Sequence, residues 1–269
     1  MKKYNIGFVG CGKMAGAIIK GIIKTGFVSP ENILASKSSP QNLEETSKNL
    51  GVEITLDNKR LASFADIIFL AVKPNQVSGV LEEIKEFVNT DKLIVSVLAG
   101  VTTSFIESNL ASEARVVRVM PNTPVLLGEG MSGICSGKFA KPSDVEFVQE
   151  LFNTVGKSVV VDETQIDIVT AISGSGPAFF YKVIEDIARS GEKLGLDYEK
   201  SLLLSVQTAL GSAKMAMNRT ISMEELISNV ATKGGCTRVG VDCMEEKHSD
   251  ELFHEVIKST AKKAGELGK

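Results

Sequence analysis

A glycine-rich turn at the start of the chain constrains its fold more than any other feature. Residues 5–9, NIGFV, form a short apolar run, and residues 10–15, GCGKMA, follow it directly. In this G-x-G-x-x-A pattern Gly10 permits a tight turn, Gly12 lets the backbone approach a pyrophosphate, and Ala15 lets the next helix pack closely against the strand. The pattern predicts a dinucleotide site made of a strand, a turn and a helix. The alternative is a glycine-rich turn in an unrelated α/β fold.

The first 162 residues alternate short apolar runs with amphipathic stretches. The runs are rich in Ile and Val and nearly continuous in apolarity, as is typical of strands buried on both faces. They lie at residues 5–9, 32–35, 52–55, 67–72, 93–97, 115–120 and 158–161. Apolar residues at three-to-four spacing mark helices between them. The alternation predicts an α/β fold, a Rossmann-type parallel sheet domain over residues 1–162 with helices on both sides.

Strand signals stop after residue 162, and a second domain is predicted over residues 163–269. The pattern there predicts helices at 164–172, 176–194, 198–217, 223–230, 236–247 and 249–267, separated mainly by glycines. This all-helical C-terminal domain is rich in Ala, Gly, Ser and Leu. Such a composition suits pairing with a second copy, so we expect it to be a dimerisation domain.

Charge and hydropathy exclude several classes of protein. Lysine and arginine number 30 against 33 acidic residues, a net charge of −3, so no nucleic acid and no anionic membrane surface is expected as a partner. No apolar run approaches the roughly 18 residues of a membrane span. The N-terminus lacks the apolar region of a signal peptide.

Histidine and cysteine contents limit the chemistry and the compartment. With only 2 histidines, a histidine metal site or a Ser-His-Asp triad is not expected, and no metal is predicted. The 4 cysteines form no C-x-x-C pair, which indicates free thiols in a reducing, cytoplasmic compartment. Cys11 and Cys236 stand in candidate ligand loops, so their alkylation is expected to slow the protein's activity; the alternative is that both are small residues that only fill space.

The end of the second predicted strand bears on the choice of dinucleotide. NAD sites usually carry an acidic residue there, which binds the ribose 2′-hydroxyl. In this chain the strand ends in Ser36 and Lys37, followed by two serines, and Glu31 lies before the strand. Hydroxyls and an ammonium suit a 2′-phosphate, which a carboxylate would repel. The sequence therefore favours NADPH, with NADH as the alternative.

Three further loops follow predicted strands, at the edge where ligands of such sheets bind. They are AVKP at 71–74, LAGV at 98–101 and PNTP at 121–124. Each loop alone has a structural explanation, but three in succession indicate the nicotinamide half of the site.

Two glycine-containing segments in the second half are candidate ligand loops. Residues 173–177, SGSGP, suit a helix start with Pro177 in its first turn. Residues 232–237, TKGGCT, place two glycines before a helix that begins near Cys236. The first-turn N–H groups of that helix would bind a small carboxylate, with the Thr237 hydroxyl beside it. The alternative is an ordinary Gly-Gly turn.

Taken in this order, the motifs resemble those of the pyrroline-5-carboxylate reductase family. The resemblance rests on GFVGCGKMA, AVKP, PNTP, SGSGPAFF and, most specifically, VATKGGCTRVGVDCMEE at 230–246. It implies a Rossmann domain and a helical domain that forms a homodimer, which often assembles into a larger ring. It implies hydride transfer from NAD(P)H to the imine carbon of 1-pyrroline-5-carboxylate, a small cyclic imine carboxylate; this carbon becomes C5 of the product. The product is L-proline, so the reaction is the last step of proline biosynthesis.

The resemblance also assigns site residues. For the substrate it implies Gly234, Gly235, Cys236 and Thr237, with Thr237 as the catalytic residue whose hydroxyl hydrogen-bonds the ring nitrogen. For the cofactor, with Lys37 added from the charge argument, the predicted residues are Val9, Gly10, Cys11, Gly12, Lys13, Met14, Ser36, Lys37, Asn58, Ala71, Val72, Lys73, Pro74, Val97, Leu98 and Ala99. The last three would border the nicotinamide.

Two departures and two rival functions stand beside this interpretation. Lys233 occupies a position where the family commonly has proline, and no acidic residue is assigned to the substrate near Thr220. A 3-hydroxyacid dehydrogenase would need a proton carrier, for which Lys182 is the candidate; otherwise Lys182 is a surface lysine. A dinucleotide-binding module without catalysis would bind NADPH and turn over no cyclic imine.

Overall fold

The computed structural model of the chain describes residues 4–110, 113–218 and 220–266. The outer ends of the two predicted domains, residues 1–3 and 267–269, lie outside the described residues, as does the last residue of the helix predicted to end at 267. Two compact units are present: residues up to 175 together with those from 259 onwards, and residues 176–258. The domain limits 1–162 and 163–269 stay a prediction.

The first unit is built on a sheet that has eight strands among the described residues. In chain order they are β1 (Ile6–Val9), β2 (Ile33–Ser36), β3 (Glu53–Thr55), β4 (Ile67–Leu70), β5 (Leu93–Ser96), β6 (Arg115–Met120), β7 (Gly130–Ser136) and β8 (Gly156–Val160). Their spatial order is β3-β2-β1-β4-β5-β6-β7-β8, and β1 to β6 run parallel. The Rossmann-type prediction is confirmed. Connections leave in opposite directions from β1 and β4, and this reversal opens a crevice at their carboxyl ends.

One strand of the sheet, β7, was missed by sequence analysis. It pairs antiparallel with β6, with Ile134 opposite Val119, and β8 pairs parallel with β7. The strand reads GMSGICS, a composition with weak strand propensity. Gly133 is required by packing, because a Cβ there would lie 2.5 Å from Cγ1 of Val169. The predicted all-parallel sheet is therefore corrected at this edge.

Helices cover both faces of the sheet. They are α1 (Lys13–Lys24), α2 (Leu43–Leu50), α3 (Asn58–Phe64), α4 (Val77–Ile84), α5 (Thr103–Asn109) and α6 (Pro142–Asn153). Alternate strand residues point to opposite faces. Phe8 and Phe69 stack at 4.5 Å in the cluster that includes α1 and α6, while Ile68 and Leu70 join α3, α4 and α5 in the other. Two apolar layers thus hold the strand ends in place.

The remaining elements are helical, as predicted. A short α7 (Ile166–Val169) continues into a π-helical turn, Thr170–Gly174. The later helices are α8 (Gly176–Lys193), α9 (Tyr198–Met217), α10 (Met223–Val230), α11 (Cys236–Glu246) and α12 (Ser249–Glu266). α8 and α9 form an antiparallel pair in which the Arg189 guanidinium lies 4.2 Å from the Tyr198 ring and Gly191 faces Ser201. Tyr198 donates a 2.7 Å hydrogen bond to Glu185.

Candidate active site

A cleft of about 540 Å³ opens at the carboxyl ends of β1, β2 and β4. It joins loops that are distant in sequence. The predicted cofactor residues that line it are Val9, Gly10, Cys11, Gly12, Ser36, Lys37, Asn58, Ala71, Val72 and Lys73. The crevice expected from the strand order is therefore where these residues meet.

The two glycines of the β1–α1 turn have different roles. Gly10 has φ +93°, and a Cβ there would lie 2.8 Å from the carbonyl carbon and oxygen of Ala71, so only glycine fits. Gly12 has φ −87°, and its Cβ would meet nothing within 4 Å. Its open side leaves room for a ligand to approach the backbone.

The amino end of α1 suits an anion. Gly12 is its N-cap, and within the described residues no side chain caps the helix and no acidic residue lies in its first turn. The first-turn N–H groups are consequently left for a ligand. Lys13 and Met14 belong to this turn but do not line the cleft, so contact between their side chains and a cofactor stays a prediction.

A chain of hydrogen bonds connects the glycine turn to α4 through the tip of β2. The Gly10 N–H donates to Ser36 Oγ at 3.4 Å, and the Ser36 hydroxyl donates to Asn58 Oδ1 at 2.6 Å. Asn58 Nδ2 then donates to Glu83 Oε2 at 2.6 Å. Ser36 is 2% exposed, which fixes its hydroxyl in place. Glu83 was not predicted from the sequence, because an exposed glutamate on a helix has no pattern that distinguishes it from other surface residues.

Lys37 lies at the rim of the cleft. Its Nζ donates to the Gln41 carbonyl at 2.9 Å and to Thr46 Oγ1 at 3.1 Å, which anchors the ammonium beside α2. Burial raises the pKa of the nearby Cys11 thiol, and the positive charge of Lys37 opposes that rise. Lys37 and the two serines that follow it, Ser38 and Ser39, line the cleft without a carboxylate among them, which fits a 2′-phosphate.

The loop after β5 faces the core rather than this cleft. Leu98 is 2% exposed, and Val97 and Ala99 are partly buried against apolar clusters. Pro74, in the loop after β4, starts a short 3₁₀ turn and does not line the cleft either. The roles assigned to these four residues in binding the nicotinamide dinucleotide stay predictions. Because the Leu98 side chain is buried, Leu98 would contact a ligand through its backbone.

The Glu163 carboxylate stabilises the start of α5, the segment that follows the β5 loop. Glu163 accepts hydrogen bonds from the Thr103 N–H at 2.8 Å and the Thr103 hydroxyl at 2.6 Å, and it pairs with buried Arg118 at 3.2 Å. Cys135 lies opposite Arg118 on β7, and burial together with the Glu163 charge raises the pKa of its thiol to about 12. The buried guanidinium of Arg118 on β6 is therefore paired with Glu163 and has a structural role.

The PNTP loop also has a structural role. Asn122 is 8% exposed; its Nδ2 donates to the Ser173 carbonyl at 3.0 Å and its Oδ1 accepts from the Met131 N–H at 2.8 Å. The amide therefore connects β7 to the π-helical turn. The SGSGP segment spans the end of that turn and the start of α8, with Pro177 in the first turn of the helix.

In the second unit, the TKGGCT segment forms the predicted turn. Gly234 has φ +78°, and the Gly235 N–H donates to the Thr232 carbonyl at 3.0 Å. Gly235 is the N-cap of α11, and within the described residues this helix has no capping side chain and no acidic residue in its first turn. Cys236 is exposed and Thr237 half-buried. A carboxylate could therefore be bound by backbone N–H groups beside a hydroxyl.

Three basic residues of the second unit bear on this site, and Arg238 in the first turn of α11 is engaged with carboxylates of its own helix. Arg238 pairs along α11 with Asp242 and Glu245 at 2.5 and 3.1 Å, and hydrogen bonds to these carboxylates raise its pKa. Lys233 is exposed in the turn itself. On α8, Lys182 pairs with Asp186 one turn on, with 71% of its side chain exposed, which favours the surface-lysine interpretation over a proton carrier.

Among residues 4–110, 113–218 and 220–266, every helix is too short or too polar to span a membrane. No group of three or more His, Cys, Asp or Glu side chains there could hold a metal ion.

The sheet, the glycine turn and the uncapped helix α1 define the class of dinucleotide-binding Rossmann proteins. Comparison with known families agrees: residues 5–100 match the family described as NADP oxidoreductase coenzyme F420-dependent, and residues 163–267 match pyrroline-5-carboxylate reductase dimerisation.

Relatives over the full length narrow the assignment. The pyrroline-5-carboxylate reductase of Methanosarcina acetivorans is 40% identical over 100% of both chains. The solved structure of the Coxiella burnetii pyrroline-5-carboxylate reductase superposes with a TM-score of 0.94 at 35% sequence identity. The Plasmodium falciparum pyrroline carboxylate reductase, solved with NADP bound, superposes with a TM-score of 0.88 at 33% identity. Each match covers 100% of this chain and 100% of the relative. This chain belongs to the pyrroline-5-carboxylate reductase family, which confirms the resemblance.

Proposed function

We propose that this chain reduces 1-pyrroline-5-carboxylate to L-proline with NADPH, as the final step of proline biosynthesis. Family membership makes it an NAD(P)H-dependent oxidoreductase that acts on a CH–NH group. The observation that carries the preference for NADPH is the tip of β2 in the cleft, which presents Ser36 and Lys37 without a carboxylate.

The residues of the cleft fit a 2′-phosphorylated dinucleotide. The open side of Gly12 and the first turn of α1 would hold the pyrophosphate. Ser36, Lys37 and Asn58 would surround the 2′-phosphate. The reduced nicotinamide supplies a hydride when bound.

The glycine turn before α11 would hold the substrate. Its first-turn N–H groups suit the substrate carboxylate, and the Thr237 hydroxyl oxygen would accept a hydrogen bond from the protonated ring nitrogen. A protonated imine accepts hydride at its imine carbon, which becomes C5 of proline, and keeps its proton in the product amine, so no side-chain base is required. This fits a chain with two histidines, both late in the sequence. The task of Thr237 is to fix the ring's position.

The assembly of the protein is proposed from the dimerisation match, and its location from the state of its cysteines. The dimerisation match over residues 163–267 supports oligomerisation, and we propose a homodimer that assembles into a larger ring. All four cysteines are free, which supports a reducing, cytoplasmic location.

One assay tests the proposed activity. Purified protein is given NADPH with pyrroline-5-carboxylate or, separately, a 3-hydroxy acid with NADP, and nicotinamide absorbance is followed at neutral pH. We expect turnover with the cyclic imine alone. Thr237→Ala should lower kcat by roughly tenfold, the effect of losing one hydrogen bond in the transition state, while Thr237→Ser keeps the hydroxyl and most of the rate.

Several results of this assay would contradict the proposal. Binding of NADPH without turnover would indicate the binding module. Activity on a 3-hydroxy acid that is lost in Lys182→Ala would indicate the rival dehydrogenase. An undiminished rate in Thr237→Ala would refute the role of the hydroxyl.

A further inference from the structure

A carboxylate outside the predicted site lies in the wall of the dinucleotide cleft. Glu83, on α4, accepts a 2.6 Å hydrogen bond from Asn58 Nδ2, and both residues line the cleft. We propose that Glu83 is a positioning residue for recognition of the 2′-phosphate, acting through the orientation of the Asn58 amide. This inference rests on the proposed use of NADPH.

The direction of each hydrogen bond follows from the chemistry of the groups. An ionised carboxylate accepts hydrogen bonds and cannot donate them, so Glu83 requires that Asn58 present its NH₂ group to α4. The amide oxygen of Asn58 then faces Ser36, whose hydroxyl must donate its single proton to it at 2.6 Å. The oxygen of Ser36 is left to accept from the Gly10 N–H at 3.4 Å.

This hydrogen-bond arrangement determines which donor groups at the tip of β2 remain available to a ligand. The Ser36 proton is committed to Asn58, and one of the two Nδ2 hydrogens is committed to Glu83. The second Nδ2 hydrogen is therefore the donor that these three side chains keep for an anion in the cleft. Without Glu83 the amide is free to rotate and to present its oxygen instead, which a phosphate oxygen would repel.

Two other roles for Glu83 predict opposite results. If its negative charge mainly repelled the 2′-phosphate, its removal would strengthen binding of the phosphorylated nucleotide. If it accepted a hydrogen bond from a ribose 2′-hydroxyl, as acidic residues do in NAD sites, its removal would weaken the unphosphorylated nucleotide most. The positioning role predicts selective weakening of the phosphorylated one.

Calorimetric titration with two probes separates these roles. The probes are 2′-phospho-ADP-ribose and ADP-ribose, which differ by the 2′-phosphate alone. Glu83→Ala should weaken 2′-phospho-ADP-ribose about fivefold, as expected for loss of one orienting hydrogen bond, and ADP-ribose by less than about twofold. Glu83→Gln retains an acceptor oxygen and should restore the affinity. In an Asn58→Ala background, Glu83→Ala should have no further effect.

The neighbouring glutamate provides a matched control. Glu82 lies on the same helix with 70% of its side chain exposed and pairs with Lys85, so Glu82→Ala makes the same charge change without touching Asn58. It should leave both affinities as in the wild type, and KM for NADPH should follow the same pattern across the variants.

Defined results would overturn the role of Glu83. These are equal weakening of both probes by Glu83→Ala, tighter binding of 2′-phospho-ADP-ribose, greater loss of ADP-ribose, or failure of Glu83→Gln to restore binding. All of them presuppose a wild-type protein that binds 2′-phospho-ADP-ribose. If the wild type does not bind it, the proposed use of NADPH fails first and the inference falls with it.

Discussion

The two units of the chain bury their apolar side chains to very different degrees. In the first unit, every residue of β1, β2, β4 and β5 is buried. In the second unit, the buried residues of α9 are two serines, Ser201 and Ser205, whereas Leu203 and Leu204 are 69% and 59% exposed. Within the described residues, α10 and α11 have no buried residue.

This difference indicates what each unit needs in order to fold. The sheet unit covers its own apolar surface and forms the dinucleotide cleft from its own strand ends. The helical unit leaves large apolar side chains such as Leu203 and Leu204 mostly exposed, so we expect it to need further protein surface against it. A second copy of the chain supplies that surface in the proposed homodimer, in agreement with the dimerisation match.

The largest effect is expected from a charge on the exposed apolar face of α9. Leu203→Glu would place a carboxylate where the account expects a buried interface, and burial of an unpaired charge costs several kcal/mol. We expect the mass measured by light scattering to fall to that of one chain, with at least tenfold loss of activity. Asn49→Glu adds the same charge to the exposed surface of α2 and should leave the mass unchanged. An unchanged mass for Leu203→Glu would contradict the comparison.

A smaller effect separates fold from ligand binding within the sheet unit. Gly10→Ala introduces a Cβ at φ +93° and 2.8 Å from the Ala71 carbonyl, so we expect about 2 kcal/mol lower stability in urea unfolding. Gly12→Ala meets no protein atom within 4 Å and should unfold like the wild type, while its methyl group weakens NADPH binding. Equal stability of the two variants would refute the distinct roles of these glycines.

The preference for NADPH over NADH is tested by substituting Lys37 at the rim of the cleft. Lys37→Glu replaces a cation by an anion near the proposed 2′-phosphate site, and we expect the KM for NADPH to rise roughly fivefold while the KM for NADH changes less. Lys37 hydrogen-bonds to Gln41 and Thr46, so the effect should be moderate. Similar changes for both dinucleotides would remove Lys37 from the recognition of the phosphate.

The smallest effect concerns thiol reactivity. Burial raises the pKa of Cys11, and that of Cys135 to about 12, so near neutral pH both remain protonated thiols, which react slowly with alkylating agents. The two exposed cysteines, Cys236 and Cys243, should be modified first, as measured by peptide mass spectrometry over time. The labelling of Cys135 should rise with pH, because its thiolate becomes populated only as the pH nears its pKa. Labelling of Cys135 ahead of Cys236 at neutral pH would contradict this order.

Sequence patterns predicted most of the fold, for a physical reason. Most of the strands are buried on both faces and read as continuous apolar runs, and the later helices have clear ends, so β1 to β6 and α8 to α12 were all predicted. β7 was missed because tertiary packing, not strand propensity, determines its residue types. Gly133, for example, makes room for the side chain of Val169, which is distant in sequence. The π-helical turn at Thr170–Gly174 likewise has no periodicity that distinguishes it from an α-helix.

The candidate site was predictable where local backbone geometry decides it. The glycine turn and the β2 tip follow from residue type and spacing, and the structure brings them together in one cleft. Glu83 was not predictable, because its importance comes from a hydrogen bond to Asn58, 25 residues away in sequence. The inward direction of Leu98 was not predictable either, since an apolar residue after a strand fits a ligand pocket as well as a core.

Isotope transfer from the nicotinamide to the product shows whether this chain reduces the cyclic imine. Protein is incubated with 1-pyrroline-5-carboxylate and NADPH that carries deuterium at both C4 positions of the nicotinamide, and the product is analysed by mass spectrometry and NMR. The account predicts L-proline with one deuterium at C5. Proline that carries no deuterium at C5, or the absence of proline while NADPH is bound, would contradict it.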